Sequence, residues 1–216
     1  MSEKSITICT ELIPATLDGR KIFTRRVIKN MPESWHRGYR AFENNPNGDE
    51  EFIIYGDCGI KIINPRYSPG DLLWVKETYC HGDEWDDCKP SEVDPLCGGN
   101  DIWYLADGPR PTEGWGKTRS SRFMPKWVSR TWLEVVSIRV ERLQEITEED
   151  AVAEGIEIGK VHGETAYYLY NGRACWTPNP IESFKTLWDS LNAKRGYSWD
   201  SNPWVWRISF QKREGK

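Results

Sequence analysis

The pattern of apolar and polar positions predicts short strands dispersed among a few helices. The clearest helix is PIESFKTLWDSLNAK, which begins at Pro180, a residue favoured in the first turn of a helix. Its apolar residues recur at helical spacing and predict one buried face: Ile181, Phe184, Leu187, Trp188 and Leu191. Two shorter helices are predicted, ELIPATLDG ending at Gly19 and TEEDAVAEGI capped by Thr147 with Asp150 three residues on.

The strands are predicted from runs of β-branched and aromatic residues that are bounded by turn residues. They are SITI, RKIFTRRVI, the hairpin EFIIYG–GIKII, LLWVKET, the brief DIWYLAD, SRTWLEVVSIRVERLQEI and NPWVWRISFQKR. Polar, turn-rich residues predict a loop over 30–50, and 80–125 reads as a long excursion that could form a lid over a pocket. Strands mixed with short helices indicate an α+β fold with a small mixed β-barrel as its core.

Composition and charge exclude few functions. A chain of 216 residues with a net charge of −4 fits a single globular domain and lacks the global positive charge of a dedicated duplex-DNA binder. A small or single-stranded nucleic-acid ligand remains open. We expect most of the twelve Trp residues to pack in the core. Some of them could instead form a surface on which bases stack.

The cysteines do not predict a metal site. None of the six lies in a CxxC pair, and Cys80, Cys88 and Cys97 are seven and eight residues apart. Reduced thiols are the interpretation we prefer to zinc. The N-terminus lacks a signal-like region and no apolar run approaches the ~20 residues of a membrane span. We therefore expect a cytoplasmic protein with no membrane segment.

Candidate chemistry begins in the stretch DGRKIFTRR, where Lys21 precedes Thr24 by three residues. A Thr hydroxyl is a poor nucleophile unless a neighbouring base takes its proton, and a lysine is such a base only in a suitable environment. A regular strand would place Lys21 and Thr24 on opposite faces, so the arrangement needs Lys21 in the turn before the strand. The alternative is a surface Lys beside a Thr that favours strands.

Four segments in order carry a resemblance to a known family. They are the opening DGRK…TRRVIK, the strand PGDLLWVKET, the segment LQEITEEDAVAEGI and the ending FxxLWDSLN…NPWVW. Together they resemble the ASCH domain family, a branch of the PUA-like small β-barrels, and are most similar to the ASCH-type proteins often found in phage genomes. The resemblance implies one ASCH-like domain over 1–216, with insertions at 30–60 and 80–125.

The resemblance also implies a chemistry. Some family members are small amidohydrolases that remove the acyl group from N4-acetylcytidine without metal or cofactor. Their Gly-Arg-Lys-x-x-Thr motif is met by residues 19–24, and Arg26 matches a basic residue with a substrate-binding role. The catalytic Glu of their LTEKHAEQEN segment aligns with Glu154 in ITEEDAVAEG. The implied triad is Lys21, Thr24 and Glu154, with Thr24 as nucleophile, Lys21 as its base and Glu154 as proton shuttle.

The chain departs from the family pattern at two positions and in length. Ile22 stands where the family commonly has Thr, Arg25 stands where an apolar residue is usual, and the chain is about twice as long as the minimal enzyme. Glu77 in WVKET is a further candidate for substrate binding, since it ends a strand near the expected ligand entrance. A solvated charge at a strand end explains Glu77 equally well.

Two other functions stay open at the level of sequence. PUA-like barrels commonly bind RNA or modified bases, so the chain could recognise a nucleic acid without cleaving anything. The acidic net charge favours a small modified nucleoside or base over a polymer. Nuclease activity has little support, because the three histidines, at positions 36, 81 and 162, are scattered.

Overall fold

The computed structural model describes most of the chain, which divides into two compact units. Residues 2–29, 31, 39–42, 51–56, 59–93, 95–98, 102–110, 113–170 and 175–213 are described. The first unit comprises Met1–Arg20, Asp71–Glu134 and Gln211–Lys216. The second comprises Lys21–Gly70 and Val135–Phe210. The expectation of a single domain with insertions stays a prediction, and much of the stretch 30–60 lies outside the described residues.

Strands outnumber helices among the described residues. The strands are β1 (Glu3–Thr7), β2 (Phe23–Val27), β3 (Tyr39–Phe42), β4 (Glu51–Gly56), β5 (Gly59–Ile63), β6 (Leu72–Lys76), β7 (Tyr79–His81), β8 (Ile102–Tyr104), β9 (Trp132–Arg142), β10 (Ile158–Val161), β11 (Glu164–Tyr168), β12 (Trp176–Thr177) and β13 (Trp204–Arg213). The helices are α1 (Ile13–Leu17), α2 (Pro95–Gly98), α3 (Glu148–Ala153) and α4 (Pro180–Asn192). This is the α+β class that the sequence predicts.

The first unit is built on a parallel pair of strands. β1 pairs with β6 in parallel, and β6 pairs antiparallel with the first residues of β9, where Leu73 faces Leu133. A second, two-stranded sheet joins β7 to β8. Tyr79, Met124 and Val128 form a buried cluster, and Ile102 and Tyr104 of β8 pack against it. The brief strand predicted at DIWYLAD is thus confirmed as β8.

The second unit holds three sheets. The first has the order β9–β13–β2, in which β13 and β2 are antiparallel with Arg207 opposite Arg25. The others are β3–β4–β5 and β10–β11–β12. Among the described residues, no strand pairing closes a sheet into a barrel. The structure therefore shows the predicted mixed sheets but not the predicted closed barrel.

Some elements differ from the sequence prediction. β3 lies inside the stretch 30–50, which the sequence predicts as a loop. The sequence does not predict β10, β11 and β12, because apolar and polar residues do not alternate clearly along them. In β9 the buried positions change phase, from Leu133 and Val135 to Ile138 and Val140. Val136, between the two sets, is therefore exposed. Such a change of phase is typical of a β-bulge.

Helix α4 forms where its sequence predicts, but two residues predicted on its buried face differ, since Leu191 is exposed and Ile181 is partly exposed. The Asn179 side chain accepts hydrogen bonds from the backbone N–H groups of Ile181 and Glu182, and Pro180 occupies the first helical position. Phe184, Leu187 and Trp188 form its buried face. None of the helices among the described residues is long and apolar enough to cross a membrane.

The buried face of α4 yields a prediction about stability. Leu187 is 3% exposed and Leu191, one turn further on, is 41% exposed. Because truncation of a buried Leu leaves a cavity, Leu187→Ala should lower the free energy of unfolding by about 2–5 kcal/mol. Leu191→Ala should change it by less than about 0.5 kcal/mol. Urea unfolding of both variants checks this, and equal losses would contradict the assigned burial.

Candidate active site

Lys21 lies in the segment that leads into β2, outside the regular strand, as the proposed chemistry requires. The N–H of Ile22 donates to the carbonyl of Ala153 at 3.0 Å, which ties this segment to the end of α3. The Phe210 N–H donates to the Ile22 carbonyl at 3.0 Å. These two backbone bonds hold Lys21 in place, and its side chain is buried rather than on the surface.

Glu154 terminates α3 and meets Lys21 there. The following residue, Gly155, has a φ of 88°, a left-handed conformation that glycine adopts without strain and that commonly ends a helix. The Lys21 Nζ donates to the Glu154 carbonyl oxygen at 2.6 Å and to its Oε2 at 2.7 Å. The ammonium thus caps the negative end of the helix and forms an ion pair in which both side chains are at most 3% exposed.

Thr24 does not join this pair. It is buried in β2 opposite Ile208. Strand alternation places its side chain on the other face of β2 from its neighbour Arg25, which contacts Glu154. Within the part of the chain that is described, no hydrogen bond links Thr24 to Lys21 or Glu154. The structure therefore brings two of the three predicted catalytic residues together.

Arg25 is the residue that sequence reasoning missed. Its buried guanidinium donates to three carboxylates at once. The Nε reaches Glu141 Oε1 at 2.6 Å, the Nη2 reaches Asp150 Oδ2 at 2.6 Å and the Nη1 reaches Glu154 Oε1 at 3.1 Å. Glu154 is consequently held on one oxygen by Lys21 and on the other by Arg25.

A second arginine completes a network of charges. Arg207 stands directly across the strand pair from Arg25, an arrangement of like charges that is unfavourable alone. Asp150 separates them, because its Oδ1 accepts from Arg207 Nη2 at 2.8 Å while its Oδ2 accepts from Arg25. Three cations (Lys21, Arg25, Arg207) thus meet three carboxylates (Glu141, Asp150, Glu154), and the formal charges cancel.

The carboxylates of this network have different proton affinities. Burial raises the pKa of Glu141 above its ordinary value, against the opposing effect of Arg25 and Arg207. Burial acts in the same direction on Asp150, but hydrogen bonds from Arg207 and Arg25 outweigh it and lower the pKa of that carboxyl. For Arg25, burial is outweighed by Glu154, Glu141 and Asp150, which raise its pKa. Arg25 is therefore a permanent cation beside Glu154.

The two predicted substrate-binding residues lie in different settings. Arg26 is exposed, opposite Trp206 in the strand pair, and belongs to the second unit with Lys21. Glu77 belongs to the first unit and is buried. Both of its carboxylate oxygens accept from Arg130, at 3.1 and 2.8 Å, so Glu77 is not a solvated strand-end charge. Their roles toward a substrate stay predictions.

The stretch that carries Cys80, His81 and Cys88 has the character of a packed core. Cys80 is buried and Cys88 partly buried, each as a free thiol, while Cys58 and His36 lie outside the described residues. No group of three or more His, Cys, Asp and Glu side chains suited to hold a metal ion is found where the structure is described. The His81 ring packs against Tyr79 and Trp127, with centroids 5.1 and 5.8 Å away.

Comparisons with known proteins identify one similar structure. No protein-family model matches the chain, and no curated protein matches it. The chain is similar to an ASCH domain from Lactobacillus crispatus JV V101, known from a high-resolution crystal structure. The match covers 98% of this chain and 79% of that one, with 10% identity and a TM-score of 0.39. At that score the likeness does not establish a shared fold or activity.

The packing of His81 predicts a dependence of stability on pH. His81 is 1% exposed, and among the described residues neither of its ring nitrogens has a hydrogen-bond partner. Burial, with the nearby Arg119, lowers the pKa of His81 below its ordinary value of 6.5. The unfolded chain then binds more protons below that pH, so the free energy of unfolding should fall as the pH drops from 6.5 toward the lower folded-state value.

The variant His81→Phe should lose this component, because its ring cannot be protonated. Urea unfolding of both proteins at pH 7 and pH 5 is the measurement. The free energy of unfolding should decrease less between the two pH values in the variant than in the wild type. Comparing the two decreases cancels the contribution of the carboxylates that both proteins share. An equal decrease would show that His81 is not buried in its neutral form.

Proposed function

We propose that this protein is a metal-independent amidohydrolase that removes the acyl group from the exocyclic nitrogen of an N4-acylated cytosine or cytidine. The single observation that carries the proposal is the buried contact between Lys21 and Glu154, 133 positions apart in sequence, at 2.7 Å. These two residues are the ones that the ASCH resemblance assigns to proton transfer. Thr24, three residues after Lys21, is the proposed nucleophile.

In the proposed reaction, Lys21 and Glu154 act as one proton acceptor. The Lys21 ammonium passes a proton to Glu154 Oε2 while its nitrogen takes the proton of the Thr24 hydroxyl. The Thr24 oxygen forms a bond to the acyl carbon, and the bond from that carbon to N4 then breaks. The proton held by Glu154 returns through Lys21 to the departing nitrogen. Water hydrolyses the Thr24 ester by the same transfers, which restores the resting state.

Two features of the surroundings support this role for the pair. A buried ion pair is a weak source of stability, since apolar residues of similar volume often stabilise as well or better. A proton relay, in contrast, needs its members within hydrogen-bond reach of each other, as Lys21 Nζ and Glu154 Oε2 are at 2.7 Å. The hydrogen bond from Lys21 Nζ to the Glu154 carbonyl also fixes the position of the ammonium. A second proton of the ammonium then points at Glu154 Oε2, which is the proposed acceptor.

The role of Thr24 requires a step that the pair alone does not supply. Its hydroxyl has to approach Lys21 from the opposite face of β2 when substrate is bound. Catalytic hydrogen bonds often tighten only in the complex with substrate. If the pair instead activates water directly, deacylation proceeds without Thr24, and the experiment below separates the two routes.

A binding function is the second candidate, and one feature favours it. Tyr168, Tyr170 and Trp176 form a cluster in which Tyr168 lies edge-on to the other two, at 5.2 and 5.6 Å. Trp176 is partly exposed, and aromatic side chains of this kind stack on bases. In this alternative the protein recognises RNA or a modified base without hydrolysis.

The proposal predicts the behaviour of three variants in an absorbance assay with N4-acetylcytidine. Thr24→Ala, Lys21→Met and Glu154→Gln should each lose at least about a hundredfold in kcat/KM, because each removes a participant in proton transfer or bond formation. Thr165→Ala, which changes an exposed Thr of the same unit, should keep the wild-type rate. Chelator should leave the wild-type rate unchanged.

Mass spectrometry of the quenched reaction completes the test. An acetyl group on the peptide that contains Thr24 supports the covalent route. Full activity in Thr24→Ala with loss in the other two would assign the nucleophile to water. No deacylation of N4-acylated bases or nucleosides by the wild type would overturn the enzymatic proposal and favour the binding function.

A further inference from the structure

The carboxylate proposed to receive the proton is held by a cation on each of its two oxygens. Lys21 occupies Oε2 at 2.7 Å and Arg25 occupies Oε1 at 3.1 Å. Lys21 can relay a proton between its nitrogen and Glu154, whereas an arginine stays protonated throughout. Arg25 is therefore placed to act on the proton affinity of Glu154 without exchanging a proton with it.

Arg25 is itself shared among several carboxylates. Glu141 and Asp150 each accept from it at 2.6 Å, closer than Glu154 does. Two nearby negative charges weaken the pull of Arg25 on Glu154 and also repel the Glu154 carboxylate directly. Both effects increase the affinity of the Lys21–Glu154 pair for a proton.

We propose that Arg25, Glu141 and Asp150 are positioning residues that set the pH at which the Lys21–Glu154 pair accepts a proton. This inference rests on the proposed function for its catalytic meaning. It assigns a role to Arg25, which stands where the resembled family has an apolar residue. Arg25 lowers the proton affinity of the pair, while Glu141 and Asp150 raise it.

Among the described residues, four elements supply the charged groups around the pair. β2 and its leading segment supply Lys21 and Arg25, β9 supplies Glu141, α3 supplies Asp150 and β13 supplies Arg207. Helix α4 contributes the Phe184 ring, 6.0 Å from the Arg25 guanidinium carbon. The charged side chains of α4 have partners elsewhere: Glu182 accepts from Thr177, Lys185 pairs with Asp200 and Asp189 accepts from the Trp199 backbone.

The test is the pH profile of kcat/KM for deacylation of N4-acetylcytidine by the full chain. Activity falls on the acid side when the pair is already protonated. Asp150→Asn and Glu141→Gln remove a negative charge at nearly constant shape, so the acid midpoint should fall by about one pH unit in each. Arg25→Met removes the positive charge, and the midpoint should rise by about one pH unit or more.

Two controls make the directions decisive. Arg25→Lys retains the charge and should keep a midpoint nearer to the wild type than Arg25→Met does. Glu148→Gln removes an exposed carboxylate from the same turn of α3 and should leave the midpoint unchanged. A purely structural role would reduce the rate without moving the midpoint in opposite directions. Unmoved midpoints, or shifts of one sign in all variants, would overturn the inference.

A second measurement separates this inference from the proposed function. In protein labelled with carbon-13 at the Glu side-chain carboxyl, the Glu154 resonance is assigned by its loss in Glu154→Gln. Its titration midpoint should shift in the same directions even if no substrate is turned over. If Arg25→Met does not fold, Asp150→Asn and Glu141→Gln decide the question. A Glu154 midpoint unchanged in both contradicts the inference.

Discussion

The contact between the Lys21 ammonium and Glu154 is the constraint on which the proposed site depends. Two opposite charges are buried together only when each is paired with a partner of opposite charge or a hydrogen-bonding group. A buried charge without a partner lowers the free energy of unfolding by about 3–5 kcal/mol. The carbonyl at the end of α3 and the Glu154 carboxylate supply this compensation for Lys21. The contact thereby joins the segment before β2 to the end of α3. A substitution of either side chain therefore removes a contact of both elements.

The same contact explains why the surrounding charges come as a balanced set. Once Glu154 is buried, Arg25 on its second oxygen adds a further cation, and Arg207 lies directly opposite Arg25. Glu141 and Asp150 restore neutrality between the two arginines. A network of this kind is no more stable than apolar packing of similar volume. It does hold Glu154 within hydrogen-bond distance of Lys21, the group with which it is proposed to exchange a proton.

The elements of the site are predictable from sequence to different degrees. The end of α3 follows from its capping Thr147 and from Gly155, and the position of Lys21 before a strand follows from the turn at Gly19. Those are local signals, so they can be read from neighbouring residues. The contacts of Arg25 depend on carboxylates at least 116 positions away, and no local pattern encodes them. The one hint comes from the resemblance, since Arg25 stands where the resembled family usually has an apolar residue.

The geometry of β2 decides how the proposed nucleophile Thr24 can meet the Lys21–Glu154 pair. Residues that alternate along the strand face opposite sides, and both sides are covered here, since Thr24 and Arg25 are each buried. The Lys21–Glu154 pair lies with Arg25, so the relay and the proposed nucleophile approach the strand from different directions. Because Lys21 precedes the regular strand, alternation along β2 does not fix the face that its side chain reaches, whereas its contacts with Glu154 do. A nucleophile on the Thr24 face therefore requires Thr24 and Lys21 to come closer when substrate binds, and an activated water requires access to a pair that is at most 3% exposed.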